Sequence, residues 1–222
     1  HRHALHHGLR AGRAAAGIPQ ATWSTMIVLE PNDIALVERI LSQDNDIAGI
    51  ILEPTGAHMG LEPLNPLFLD ELRETTRKYG VVLIFDEVVT GFRTSPGGAQ
   101  ARYNVTPDLT SLAKIMGGGL PGGAVAGKAE VVDMIQHRGD PQWDAEERVA
   151  HPGTFNANPL SAAAGSKALE LVATTNLNAR ADAMAQRLKE GLNHVLMQME
   201  IPGCASGVAS IVHVTLDVPH DC

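Results

Sequence analysis

The stretch Val81-Val82-Leu83-Ile84-Phe85-Asp86-Glu87 decides the reading of this chain: five consecutive apolar residues, three of them β-branched, end abruptly in two acids. Such a run is too short for a buried helix, and its β-branched content favours a strand covered on both faces. Gly80 stops whatever precedes it, and upstream Asn65-Pro66 supplies a cap and first turn for a helix through Leu67, Leu69, Leu72 and Thr76. Further upstream, Ile47–Leu52 and Met26–Leu29 are shorter apolar strands, separated by a helix that Pro31-Asn32-Asp33 opens and that carries Ile34, Val37, Ile40 and Leu41 on one face. Downstream lie a strand at Leu109–Ala113, the glycine run Gly117-Gly118-Gly119-Leu120-Pro121-Gly122-Gly123, a weaker strand at Ala124–Ala126 and a helix from Ala129 to His137. Asp140–Ala150 is polar enough to be a mobile loop. Asn158-Pro159 caps another helix, Asn176 starts a long one with Met184, Leu188, Leu192 and Leu196 as a core-facing stripe, and Ile211–Leu216 turns strand-like. Alternating strands and helices predict an α/β fold, a mostly parallel sheet with helices on both faces.

Composition narrows the function classes. The 222 residues are 44% hydrophobic and 19% charged, with a net charge of −8, so coiled-coil, collagen-like and disordered classes are excluded. The negative balance offers no electrostatic footing for nucleic acid or an anionic membrane. No apolar run reaches the roughly 18 residues of a spanning helix, and the two cysteines, Cys204 and Cys222, are too few for a disulfide scaffold. A cytoplasmic enzyme is the expectation. The first residue is not Met and the last strand lacks a closing element, so a fragment of a longer protein is expected.

In open α/β sheets ligands sit outside the carboxyl ends of the strands. Asp86 ends the strongest strand and Lys114 ends the next, which places both on one sheet edge. They are either a structural ion pair or the two fixed points of a pyridoxal phosphate site, a lysine for the Schiff base and an acid for the pyridine nitrogen. Other signals are weaker. Gly122 through Gly127-Lys128 matches most of a phosphate loop, but Ala129 replaces the required hydroxyl. His3, His6 and His7 have helical spacing for a metal without any acid or thiol nearby, so no metal centre is expected. Arg93 is a carboxylate anchor or a holder of nearby backbone, and Glu87 points away from Asp86 and is structural.

The wording around these residues is similar to one family. Leu83-Ile84-Phe85-Asp86-Glu87-Val88-Val89-Thr90-Gly91-Phe92-Arg93, Pro107-Asp108-Leu109-Thr110-Ser111-Leu112-Ala113-Lys114 with its glycine run, Glu53-Pro54 with Gly60, and His151-Pro152-Gly153-Thr154-Phe155-Asn156-Ala157-Asn158-Pro159-Leu160 together resemble the class III pyridoxal-phosphate aminotransferases, most closely their glutamate-1-semialdehyde aminomutase subgroup. The resemblance implies the large domain of the fold type I pyridoxal-phosphate transferases at residues 23–174, an N-terminal remnant at 1–22 and the start of a small C-terminal α+β domain at 175–222. It implies that Lys114 carries the cofactor as an aldimine and then shuttles protons, and that Asp86 pairs with the pyridine nitrogen. Val88 would press on one ring face, and Thr154 would reach the cofactor phosphate of a neighbouring subunit, which implies a homodimer. His58 falls near the cofactor phenolic oxygen and the substrate, where Asn or Glu is frequent; it is a substrate-side group or a loop histidine. Val89, where many ω-amino-acid aminotransferases carry glutamine, fits the aminomutase-like group. The expected reaction is amino transfer between a small-molecule amino donor and an oxo-acid or aldehyde acceptor. Its rivals are the intramolecular aminomutase reaction and an inactive fragment that folds or dimerises without cofactor.

Overall fold

The computed structural model describes residues 3–7, 17–56, 61–65 and 67–219. Its elements, in chain order, are β1 (His3–His7), α1 (Gln20–Trp23), β2 (Met26–Leu29), α2 (Ile34–Gln43), β3 (Ile47–Leu52), β4 (Glu62–Pro63), α3 (Phe68–Tyr79), β5 (Val82–Glu87) and α4 (Gly98–Tyr103). There follow β6 (Leu109–Leu112), a 3-10 turn at Lys114–Gly117, β7 (Ala124–Gly127), α5 (Ala129–Val132), α6 (Pro159–Thr174), α7 (Leu177–Gln198), β8 (Gly203–Ser206) and β9 (His213–Leu216).

Six strands form one sheet in the order β2-β1-β3-β5-β6-β7, parallel throughout except for β7, which runs antiparallel on β6. Strands β8 and β9 pair separately as an antiparallel ribbon. The local chemistry explains the boundaries. Asp33 accepts the Leu36 backbone N–H at 2.8 Å and caps α2, a contact that contributes about 1 kcal/mol. Gly80 ends α3 in the left-handed conformation, φ 66°, which glycine adopts without a Cβ clash. Asn158 caps α6 by accepting from Leu160 and Ser161.

The strand alternation of β5 divides its side chains. Leu83 and Phe85 face a core shared with Val37, Leu41, Phe68 and Leu72 of α2 and α3, and both are fully buried. Each such burial stabilises the fold by about 1.5–3 kcal/mol. Val82, Ile84 and Asp86 face the other way and are half-buried.

Several sequence expectations need correction. Helix α3 begins at Phe68, because the Asn65 side chain accepts from Leu67 N at 3.0 Å in a turn ahead of the helix rather than capping it. The helix expected over 129–137 is one turn, α5, followed by a 3-10 turn, Asp133–Ile135. Asp140–Ala150, expected to be loose, holds a π turn at Trp143–Glu147; Asp144 bonds Arg138 N and His137, and the Arg138 guanidinium lies 3.5 Å from the Trp143 ring centre. On α7 the buried residues are Ala185 and Leu196, whereas Met184 and Leu188 are 59% and 54% exposed, so the expected stripe faces outward over its first half. Residues 3–7, set apart in the sequence reading, form a strand inside the sheet between β2 and β3. An extended segment removes the helical spacing that suggested a metal, and no metal-ligating cluster occurs among the described residues.

Candidate active site

The carboxyl ends of β3, β5 and β6 lie side by side, and each contributes a polar residue. Strands β5 and β6 are parallel with Asp86 opposite Ser111. Asp86 accepts two hydrogen bonds, from the Ser111 hydroxyl at 3.0 Å and from Val88 N at 3.1 Å, and both go to the same oxygen, Oδ1. Among the described residues Oδ2 has no partner. Asp86 is half-buried, so this second oxygen is not sealed into the core.

Lys114 starts the 3-10 turn that follows β6. It is exposed and makes no ion pair or hydrogen bond among the described residues, so the structural pairing with Asp86 does not form. Its backbone is left-handed, φ 50°, a conformation that costs a non-glycine residue about 1–2 kcal/mol. The turn is locked from behind by close backbone packing on α6. A Cβ on Gly118 would lie 2.3 Å from Ala164 O, and one on Gly165 would lie 2.3 Å from Met116 O. The glycines therefore let α6 seat directly on the turn that presents Lys114.

The same helix leads back to the motif at residues 151–160. Thr154 is exposed in the turn just before Asn158, and a cavity of about 700 Å³ lined by Met116, Gly122, His151, Phe155 and Asn158 lies between that turn and the glycine run. Val88 and Val89, two and three residues past Asp86, are half-buried. His58 lies outside the described residues.

Glu53 follows β3 on the same edge. Thr55 donates its hydroxyl to both carboxylate oxygens at 2.7 Å and its backbone N–H at 3.0 Å. Burial pushes the Glu53 carboxyl above the ordinary glutamate range; the Thr55 hydrogen bonds oppose this, and the neighbouring Asp86 and Glu87 charges add to the rise.

The remaining polar residues of the motifs are structural. Glu87, 1% exposed, points opposite to Asp86 and receives Thr90 Oγ1, the backbone N–H groups of Ala99 and Gln100, and the Gln100 amide at the start of α4. Arg93 donates through one guanidinium nitrogen to the Ser210 carbonyl and hydroxyl at 3.4 and 3.2 Å, which ties the β5 loop to the C-terminal segment. Lys128 pairs with Asp108 at 2.8 Å behind a β strand, the opposite of a phosphate loop. Asp108 was not singled out by sequence reasoning. It sits at the amino edge of the sheet and also accepts from Arg73 at 2.9 Å and from Leu83 N at 2.8 Å.

The exposed lysine and the aspartate lie at the carboxyl ends of adjacent strands in a mostly parallel α/β sheet, the edge where ligands bind in this class of fold. The comparisons with known proteins make the assignment specific. The family model described as aminotransferase class-III matches residues 8–214, and the chain belongs to that family. It is 47% identical over 180 residues to a glutamate-1-semialdehyde 2,1-aminomutase of Sulfolobus acidocaldarius, covering 81% of this chain and 41% of that protein. It is 41% identical over 197 residues to a glutamate-1-semialdehyde 2,1-aminomutase 2 of Brevibacillus brevis, covering 88% of this chain and 44% of that protein. An omega-transaminase structure from Sphaerobacter thermophilus superimposes with a TM-score of 0.85 at 36% identity, covering all of this chain and 54% of that one. The chain thus spans about half the length of the relatives it matches. The structural likeness agrees with the fold type I architecture expected from the motifs. Among the described residues no helix is long and apolar enough to cross a membrane.

Proposed function

We propose that this chain belongs to a pyridoxal-phosphate enzyme that transfers an amino group from an amino acid or amine to an oxo-acid or aldehyde. The observation that carries the reading is the placement, on neighbouring strand ends, of Lys114 and of Asp86 Oδ2, neither of which has a partner among the described residues. The donor set fits the cofactor at both ends: a free amine for its aldehyde and a fixed anionic acceptor for its ring nitrogen. Bound pyridoxal phosphate supplies an electrophilic carbonyl and an electron-withdrawing ring that takes up carbanion charge.

The residues divide the remaining work. Lys114 Nζ would hold the cofactor through its carbonyl and would be the base and acid for the substrate α-proton. Asp86 Oδ2 holds a proton on the ring nitrogen. Val88, two residues past Asp86, is assigned to one face of the ring. Thr154, exposed before α6, is assigned to the cofactor phosphate of a second copy, which makes the working unit a homodimer. His58 is assigned to the substrate side. The cofactor-binding part is taken as residues 23–174, the start of the small domain as 175–222, and the site of action as the cytoplasm.

A second reading is favoured by the relatives that carry the aminomutase name at 47% and 41% identity: intramolecular amino transfer converting glutamate-1-semialdehyde to 5-aminolevulinate. Both readings use Lys114 and Asp86 alike. Adding pyridoxal phosphate, reducing with borohydride and mapping the labelled peptide tests them together. Label confined to Lys114 is the expected result; label scattered over surface lysines overturns the enzyme reading and leaves a protein that folds without cofactor. Turnover of glutamate-1-semialdehyde without a separate amino donor then distinguishes mutase from transaminase.

A further inference from the structure

The two oxygens of Asp86 are not equivalent, and the difference comes from the neighbouring strand. Parallel pairing puts Asp86 and Ser111 directly opposite one another, on the same face of the sheet. The Ser111 hydroxyl has one proton, and it is donated to Oδ1 at 3.0 Å. The other donor to Oδ1 is the backbone N–H of Val88, two residues along, at 3.1 Å. A carboxylate held only by that local turn would keep rotational freedom about its last bond. A second donor from a different strand fixes the plane of the group relative to the sheet, and with it the direction of Oδ2.

We propose that Ser111 is a positioning residue for the reaction: by engaging Oδ1 it directs Oδ2 of Asp86 at the ring nitrogen of pyridoxal phosphate. This rests on the cofactor reading given above. Ser111 touches neither the ring nor the substrate in this assignment and acts through Asp86 alone. The hydrogen bond is charge-assisted and partly shielded from water, the setting in which such a bond has its largest effect.

The test uses the full-length protein and compares Ser111→Thr with Ser111→Val. The two side chains have nearly the same volume and both are β-branched, so a packing role would move them equally; only threonine keeps the hydroxyl. The readouts are the dissociation constant for pyridoxal phosphate and the pH midpoint of the absorbance change of the Lys114-bound cofactor. Ser111→Thr is expected to match the parent. Ser111→Val is expected to bind on the order of tenfold more weakly. Its absorbance midpoint is expected to rise, because a less firmly protonated ring nitrogen withdraws less charge from the imine end. Equal behaviour of the two variants overturns the proposal. Asp86→Asn is the control for the underlying reading. If it loses affinity while Ser111→Val and Ser111→Thr coincide, only the role of Ser111 fails. If Asp86→Asn is itself silent, the cofactor reading fails and the proposal with it.

Discussion

Two aspartates bridge the same pair of strands at opposite ends, and they are finished differently. Asp108, at the amino edge, uses both oxygens: Oδ2 takes Leu83 N and Arg73, and Oδ1 takes Lys128. Asp86, at the carboxyl edge, takes both of its donors among the described residues on Oδ1, and Oδ2 has none among them. The lysines follow suit: Lys128 is ion-paired, whereas Lys114 has no partner among the described residues. One end of the β5–β6 pair is electrostatically closed and holds the sheet together. The other is left incomplete, and incomplete polar groups on a well-supported edge are what a ligand can complete.

The sharpest separation is expected from Lys114→Ala. Amino transfer by the full-length protein should fall by at least about 10³-fold, since both carbonyl binding and proton transfer are lost. Thermal stability should hold, because the side chain is exposed and has no partner among the described residues. Steady-state kinetics alongside a melting curve checks this. A large drop in melting temperature would mean that the amine serves the fold, and the contrast between the two edges would collapse.

The aspartates should then exchange phenotypes. Asp108→Asn leaves Arg73, 5% exposed, beside a neutral group, which should cost about 3 kcal/mol in urea unfolding with little change in cofactor affinity. Asp86→Asn should change stability by less than about 1 kcal/mol and weaken pyridoxal phosphate binding by about tenfold or more. Acid titration extends the same test. Burial works to raise the Asp108 carboxyl, but the bonds from Lys128, Leu83 N and Arg73 outweigh it and hold the group below its ordinary value of 3.8. Its contribution is therefore complete above about pH 4 and lost as pH falls through the lowered folded value. Asp108→Asn should flatten that acid limb. Glu53 runs the other way: with its carboxyl raised above 4.5, stability is lost as pH rises from that value through the folded one. Glu53→Gln should remove this loss, so unfolding measured at pH 4 and pH 8 should differ less in the variant than in the parent.

These contrasts also show what a linear sequence can carry. The β5 strand, the Gly80 stop of α3, the Asn158 cap of α6, and the acid and lysine at adjacent strand ends are legible, because periodicity, caps and strand order are local or follow general connection rules. Strand β1 is not, since its composition is rich in histidine and only its neighbours β2 and β3 make it part of a sheet. The stripe on α7 was misread because helical spacing alone does not say which of two apolar faces meets the fold; Leu196 does, whereas Met184 does not. Among the candidate site residues, the placement of Asp86 and Lys114 on one sheet edge is visible in the sequence, whereas the Ser111–Asp86 contact is not, because it is a matter of strand register. The Arg73–Asp108 pair joins residues on α3 and at the start of β6, and nothing in either local pattern announces it.

The smallest expected effect comes from Lys128→Ala, and it tests whether the closed edge is as redundant as its geometry indicates. The Lys128 side chain is 55% exposed, so its pair with Asp108 is largely in contact with water and salt. Removing it uncovers only Oδ1, which water can satisfy, while Arg73 and Leu83 N remain on Oδ2. A loss of no more than about 1 kcal/mol is expected, shrinking further at high ionic strength. If Lys128→Ala instead unfolds as readily as Asp108→Asn, then Arg73 alone does not stabilise the buried aspartate. The amino edge would then be no more self-sufficient than the carboxyl edge, and an open oxygen could no longer be taken as the mark that distinguishes a ligand-binding aspartate from a structural one.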